Sequence, residues 1–94
     1  MKEKIIASSG NVFEDLGFES AEASVLAMRS ALMNDLRQYI EKSSLTQTEV
    51  AEKLGISQSR TSDLVRGKWE KFNLEFLITL EARLGRKVSL RLAA

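Results

Sequence analysis

Cysteine, histidine and proline are all missing from this 94-residue sequence. The first absence removes disulfides, thiolate-bound zinc and thiol nucleophiles together. The second removes the commonest general base and the commonest metal ligand. The Asp, Glu, Lys and Ser that remain are scattered and form no constellation resembling an active site. We therefore expect no enzyme, with no catalytic residue, no metal site and no cofactor. No apolar run approaches the roughly 20 residues that span a bilayer. The apolar stretch near the N-terminus, Ile5-Ile6-Ala7, is too short for a signal peptide. A cytoplasmic protein without membrane contact is expected.

What is present is an ordinary globular composition, 44% hydrophobic and 29% charged, with a net charge of +1. Length favours a single domain with a modest core, so a dimer is a natural expectation. Charge is mildly asymmetric. In residues 1–20, Lys2 and Lys4 face Glu3, Glu14, Asp15 and Glu19, whereas Arg83, Arg86, Lys87 and Arg91 outnumber Glu75 and Glu81 after residue 72.

With no proline, helix boundaries must be read from caps and glycines. From Ser20, a candidate N-cap, to about Lys42, apolar residues recur at helical spacing (Val25, Met28, Leu32, Leu36, Tyr39, widened by Leu26, Met33 and Ile40). Alanines 21, 23, 27 and 31 favour the same long helix. Thr46-Gln47-Thr48-Glu49 is a capping box, with Leu45 and Val50 placed as the hydrophobic staple across it. Val50, Ala51 and Leu54 form a short apolar face, and Gly55 ends that helix. Ser57 caps a second short helix from Gln58 to Arg66, closed by Gly67, with Leu64, Val65 and the Thr61 methyl as its apolar content. Trp69 and Phe72 belong to core or loop packing. Asn73 caps a further amphipathic helix carrying Leu74, Leu77, Ile78, Leu80, Ala82 and Leu84 and stopped by Gly85. Lys87 to Leu92 alternates polar and apolar residues, the period of a half-buried strand, which needs a pairing partner.

Two short helices around a glycine turn occur in many α-proteins. The run Gln47-x-x-Val50-Ala51-x-x-Leu54-Gly55-Ile56, followed by Thr61 and Leu64, is more specific. Ala51 allows a close helix crossing, Ile56 plugs the core and Leu64 anchors the second helix from below. These residues resemble the phage-repressor-like helix-turn-helix family that includes lambda repressor, Cro and the xenobiotic-response-element-type regulators. The resemblance spans roughly residues 22–85, and Thr61 departs from it, standing where Val or Ile is usual. Its hydroxyl needs a backbone carbonyl.

The resemblance implies a mainly α, compact bundle of about four to five helices with a central helix-turn-helix, plus a short C-terminal β-strand used in dimerisation. It divides the chain into an N-terminal arm (1–20), a DNA-binding domain (21–85) and the strand (86–94). It implies that the second motif helix enters the major groove while the first crosses the backbone. By position, Gln47 then contacts a phosphate and braces the second helix, and Gln58 reads a base, with adenine as its bidentate match. Ser59 and Ser62 face the groove, Arg60 reads guanine or holds a phosphate, and Arg66 and Lys68 clamp phosphates. Asp63 is expected to pair with Arg60 or Arg66, or to filter bases by repulsion. The bland alternative leaves the same residues as a solvated, solubilising face.

The flanks extend the resemblance. Asn11-Val12-Phe13-x-Asp15-Leu16-Gly17, Phe72-Asn73-Leu74-Glu75 and Leu84-Gly85-Arg86-Lys87-Val88 look like the HigA-type antitoxin subgroup of type II toxin–antitoxin systems. This implies an autoregulating repressor of a palindromic double-stranded DNA operator, a homodimer, that also neutralises a RelE/HigB-type toxin. A stand-alone regulator without a toxin, or an interaction module that has lost DNA binding, remains open at this point. Leu16 and Phe18 are expected to fold back over the long helix, and Val88, Leu90 and Leu92 to face the core.

Overall fold

The longest element organises the rest. In the computed structural model, which describes residues 12–92, α2 runs from Ser20 to Ser43. It follows a single-turn helix, α1 (Val12–Asp15), and precedes α3 (Gln47–Leu54), α4 (Gln58–Val65), a 3-10 turn (Trp69–Lys71) and α5 (Leu74–Arg83). Expectations that fall on residues 1–11 and 93–94 lie outside the described residues. The mainly helical bundle expected from the sequence is the observed architecture. No helix among the described residues is long and apolar enough to cross a membrane.

α2 turns Ala23, Leu26, Leu32, Met33 and Leu36 inward. It packs against α1, α4, α5 and the 3-10 turn, while α3 packs on α4 and α5. Leu32, Met33, Leu36, Val50, Leu54, Leu64, Phe72, Leu77 and Leu80 form the buried core, with Ile40, Leu45, Ile56, Trp69 and Val88 packed at its margin. Two details of α2 differ from expectation. Its N-cap is Glu19 rather than Ser20 and makes no side-chain cap bond, and Val25 is exposed. The apolar face narrows there because only α1 covers the first turns.

The short helices follow their local signals closely. Thr46 Oγ1 accepts from Glu49 N at 3.2 Å, and Glu49 Oε1 accepts from Thr46 N at 2.9 Å, completing the capping box. Gly55 adopts φ 69°, a left-handed conformation that suits glycine. Its N–H and that of Ile56 return to Glu52 O and Ala51 O. Ser57 Oγ accepts from Arg60 N at 3.1 Å to start α4. Thr61 is fully buried, and its hydroxyl donates to Ser57 O at 2.9 Å, which supplies the carbonyl that the Val-to-Thr departure required. Asn73 Oδ1 accepts from Phe76 N at 2.8 Å to start α5.

Both ends of the chain depart from expectation. Lys87–Leu92 forms no strand in the single chain, since no described segment lies alongside to complete a ladder. Arg86 instead ties this segment to the bundle through the buried carboxylates of Asp35 and Glu81 and lies over the Tyr39 ring. Val88 is half-buried, but Leu90 and Leu92 are 76% and 88% exposed rather than core-facing. At the other end, Phe13 is the anchor of α1, set edge-on to Trp69 at 5.5 Å and to Phe18 at 6.1 Å between centroids. Leu16 stays 68% exposed and Phe18 also faces solvent, because a one-turn helix can direct only one face onto α2.

The capping box makes a prediction about pH. Bonds from Thr46 hold the Glu49 carboxyl below its ordinary value of 4.5. A carboxylate with a lowered folded-state pKa stabilises the fold fully above its unfolded value, and loses that contribution as pH falls through the folded one. Glu49→Gln should therefore be less stable than wild type at neutral pH. The gap should close below about pH 4.5, as measured by urea unfolding at a series of pH values.

Candidate nucleic-acid interface

A helix of two turns leaves half of its backbone carbonyls without internal partners. α3 and α4 are each eight residues long, so their ends decide whether they hold a fixed orientation. The structure closes both C-termini from outside the motif. Arg83 of α5 donates from NH1 to Leu54 O at 2.7 Å, and Arg37 of α2 donates from Nε to Val65 O at 3.0 Å. Each guanidinium lies against a glycine in the left-handed conformation. A Cβ at Gly67 would stand 3.0 Å from Arg37 NH1, and one at Gly55 3.3 Å from Arg83 NH1. Glycine is thus required at these turns for backbone angle, and the arginines add a steric reason. Neither arginine was anticipated from sequence, because each acts on a carbonyl 28 or 29 positions away.

The outward edges of α3 and α4 form a polar surface. Gln47 and Thr48 are exposed at the start of α3, and Gln58 and Ser59 at the start of α4. Ser62 is half-buried one turn further along, and Arg66 is exposed at the C-cap. The structure joins the two helices at this edge, with Gln58 Nε2 donating to Thr48 Oγ1 at 3.0 Å. The brace on Gln58 thus comes from Thr48, a residue the sequence reading left unassigned. Gln47, beside it, is free in position to face outward.

Charged groups are more tightly engaged than the sequence suggests. Arg60 lies 4.6 Å over the Phe72 ring and 5.2 Å over the Phe76 ring, and its NH1 donates to Lys71 O at 3.1 Å. Asp63 pairs with Lys68 and Lys71, each at 3.7 Å, rather than with Arg60 or Arg66. Arg60 is held away by the two rings, and the turn after Gly67 brings both lysines back over Asp63. Such partly exposed pairs contribute little to stability, but they set where the cations sit. Lys68 thus shares the Asp63 carboxylate with Lys71 at the motif exit.

Elsewhere, an open groove of about 420 Å³ runs beside Tyr39, Lys42, Lys53 and Arg86. Lys53 Nζ donates to Tyr39 OH at 2.8 Å, and Arg86 is held on the carboxylates, so these polar groups answer one another. Among the described residues no cluster of three Asp or Glu is placed to hold a metal ion.

The seating of Arg60 yields a stability prediction independent of any ligand. Arg60→Ala removes stacking over two rings and a bond to a backbone carbonyl, and should lower unfolding free energy by about 1–2 kcal/mol in urea titrations. An unchanged midpoint would show the guanidinium to be free of the core.

Two short helices at a tight glycine turn, capped by the surrounding helices and exposing one polar edge, describe a specific architecture. No curated protein matches the chain. The family profile described as Helix-turn-helix domain matches residues 12–93. That match takes in the flanking α1 and the C-terminal segment along with the motif itself, and the chain belongs to the helix-turn-helix domain family, the fold of DNA-binding regulators.

Proposed function

We propose that this protein is a sequence-specific transcriptional repressor that binds a palindromic operator as a homodimer and also acts as the antitoxin of a RelE/HigB-type toxin. The observation that carries the DNA reading is the rigid mounting of α4. It is capped at its start by Ser57 and at its end by Arg37, and presents Gln58, Ser59, Ser62 and Arg66 along its accessible edge. Such a helix offers hydrogen-bonding groups to base edges, while Gln47, Lys68 and Arg66 flank it at phosphate-contacting positions. Repression follows by occlusion of the promoter. One recognition helix reads too short a site to be selective in a genome, so two-fold pairing is required. The exposed Leu90 and Leu92, on a segment with strand-like alternation, suit pairing across that axis.

The toxin reading is supported by the other end of the molecule. From Val12 to Met28 the chain carries Glu14, Asp15, Glu19 and Glu22 and no basic residue, and all four carboxylates are exposed. Val12, Leu16, Phe18 and Val25 are exposed among them. An apolar surface rimmed by one sign of charge suits a basic protein partner.

Fluorescence anisotropy against the upstream duplex tests the first part. Gln58→Ala should cost about 1–3 kcal/mol at the operator and relax specificity at one position. Lys68→Ala should weaken all duplexes alike and lower the salt slope by about one. If neither variant changes binding, α4 is not the reading helix. Co-expression with the genomic neighbour tests the second part. Growth rescue and co-purification of a small basic protein are expected, and their absence leaves a stand-alone regulator.

A further inference from the structure

The groove beside Tyr39 gathers cations without the carboxylates to match them. It lies between the last turns of α2 and α3 and the segment after α5, where Tyr39, Lys42, Leu45, Lys53 and Arg86 line it together with Asp35. Asp35 is taken by Arg86. Among the described residues, Lys42 and Lys53 have no carboxylate at ion-pair distance. Glu49, one turn before Lys53 on α3, is the partner that spacing would choose. Its Oε1 is turned back to Thr46 N in the capping box instead.

Lysines in the last turn of a helix are ordinarily explained by its free carbonyls. These two are not placed for that purpose. Near the end of α2, Ser43 Oγ donates to Ile40 O at 2.8 Å, and at the end of α3 it is Arg83 that donates to Leu54 O. Lys53 Nζ donates to Tyr39 OH at 2.8 Å and lies 5.5 Å from the centre of that ring, which Arg86 also approaches at 5.0 Å. A phenol oxygen takes up one ammonium proton and leaves the charge uncompensated. In accepting, the Tyr39 hydroxyl keeps its own proton to give.

Two ammonium groups and a phenol proton bordering one opening suit an oxyanion. Lysines are compact point charges that serve a tetrahedral phosphate well. The planar fork that recognises a carboxylate would have to come from Arg86, whose NH1 is already on Asp35 and Glu81. The groove measures about 420 Å³, within the range of small-molecule sites and more than a phosphate group alone fills. Leu45 and the Tyr39 ring give the remainder an apolar wall. We propose that this groove binds a small organic phosphate ester, with Lys42 and Lys53 on its oxygens, Tyr39 OH donating to it, and the organic part against Leu45. No residue of α4 lines the groove, so the proposal stands apart from the reading of the polar edge.

The probe is phenyl phosphate, titrated into the full chain at constant ionic strength and followed by backbone amide NMR shifts, with inorganic phosphate and phenol as comparisons. Phenyl phosphate should shift the amides of Tyr39, Lys42, Leu45 and Lys53 saturably and bind roughly tenfold more tightly than inorganic phosphate. Phenol alone should give no saturable shift. Tyr39→Phe keeps the ring beside Arg86, removes the hydroxyl and should weaken binding by roughly tenfold. Lys42→Gln should do the same, and it carries the test if the phenylalanine variant loses helical circular dichroism. Lys87→Gln, at an exposed lysine outside the lining, should bind as wild type does. Shifts spread equally over Arg66, Lys68 and Lys71 would mean an adventitious ion only, and overturn the proposal. Absence of saturation overturns it, as do Tyr39 and Lys42 variants that bind as tightly as wild type. The upstream duplex is the last arm, and it should leave phenyl phosphate in place. Displacement would assign the groove to the DNA backbone and overturn the small-ligand proposal. The titrations without DNA leave the reading of α4 untouched whichever way they fall.

Discussion

Two guanidinium groups hold the motif in place. Isolated helices of two turns do not persist in water, because nucleation is costly and few internal bonds repay it. α3 and α4 exist as helices because the bundle receives their apolar faces and because their last carbonyls have donors waiting. Arg83 reaches Leu54 O from α5, and Arg37 reaches Val65 O from α2. The same two side chains occupy the space beside Gly55 and Gly67 that a Cβ would need. Turn geometry, helix termination and the angle between the motif helices are thus parts of one constraint. Loosening either arginine would free the helix end that it caps, and with it the direction in which the polar edge points.

That arrangement divides the labour within α4. Thr61 and Leu64 face inward and are fully buried, with the Thr61 hydroxyl satisfied within its own first turn. Arg60, which a sequence pattern would place on the reading surface, is drawn sideways onto Phe72 and Phe76 and fixes the connection to α5. The residues left at the edge are short and neutral at the start of the helix and charged only at its exit. Such an edge presents hydrogen-bonding groups more than charge.

The sequence showed most clearly what is decided within a few residues. The Thr46–Glu49 box, the Ser57 and Asn73 caps and the glycine stops all depend on neighbours three or four positions apart, and all appear where their patterns lie. The need for a carbonyl at Thr61 was legible for the same reason. What was not legible joins residues far apart in the chain. No local pattern announces that Arg37 or Arg83 caps a distant helix, that Thr48 rather than Gln47 meets Gln58, or that Asp63 takes lysines from beyond the turn. The terminal segment shows the opposite limit. Alternation in Lys87–Leu92 is a statement about two faces, and a strand forms only when something occupies the position beside it.

The charge ledger of the surface then bears on how the protein would discriminate among duplexes. Non-specific affinity for DNA scales with the number of cations free to displace counterions from phosphates. Here Arg37 and Arg83 are committed to backbone carbonyls, Arg60 to two rings and Arg86 to buried carboxylates, while Lys68 and Lys71 share Asp63. Arg66 stands at the motif exit in the open. A polar edge so poor in uncommitted charge would gain little from sequence-independent attraction to DNA, and the acidic run from Glu14 to Glu22 would add repulsion. On the proposed reading, discrimination would come from the orientation of a few neutral groups, and a second copy would supply the affinity that charge does not. The capping arginines would serve the same end, since an edge that reads through a few neutral groups tolerates little freedom in the helix that carries it.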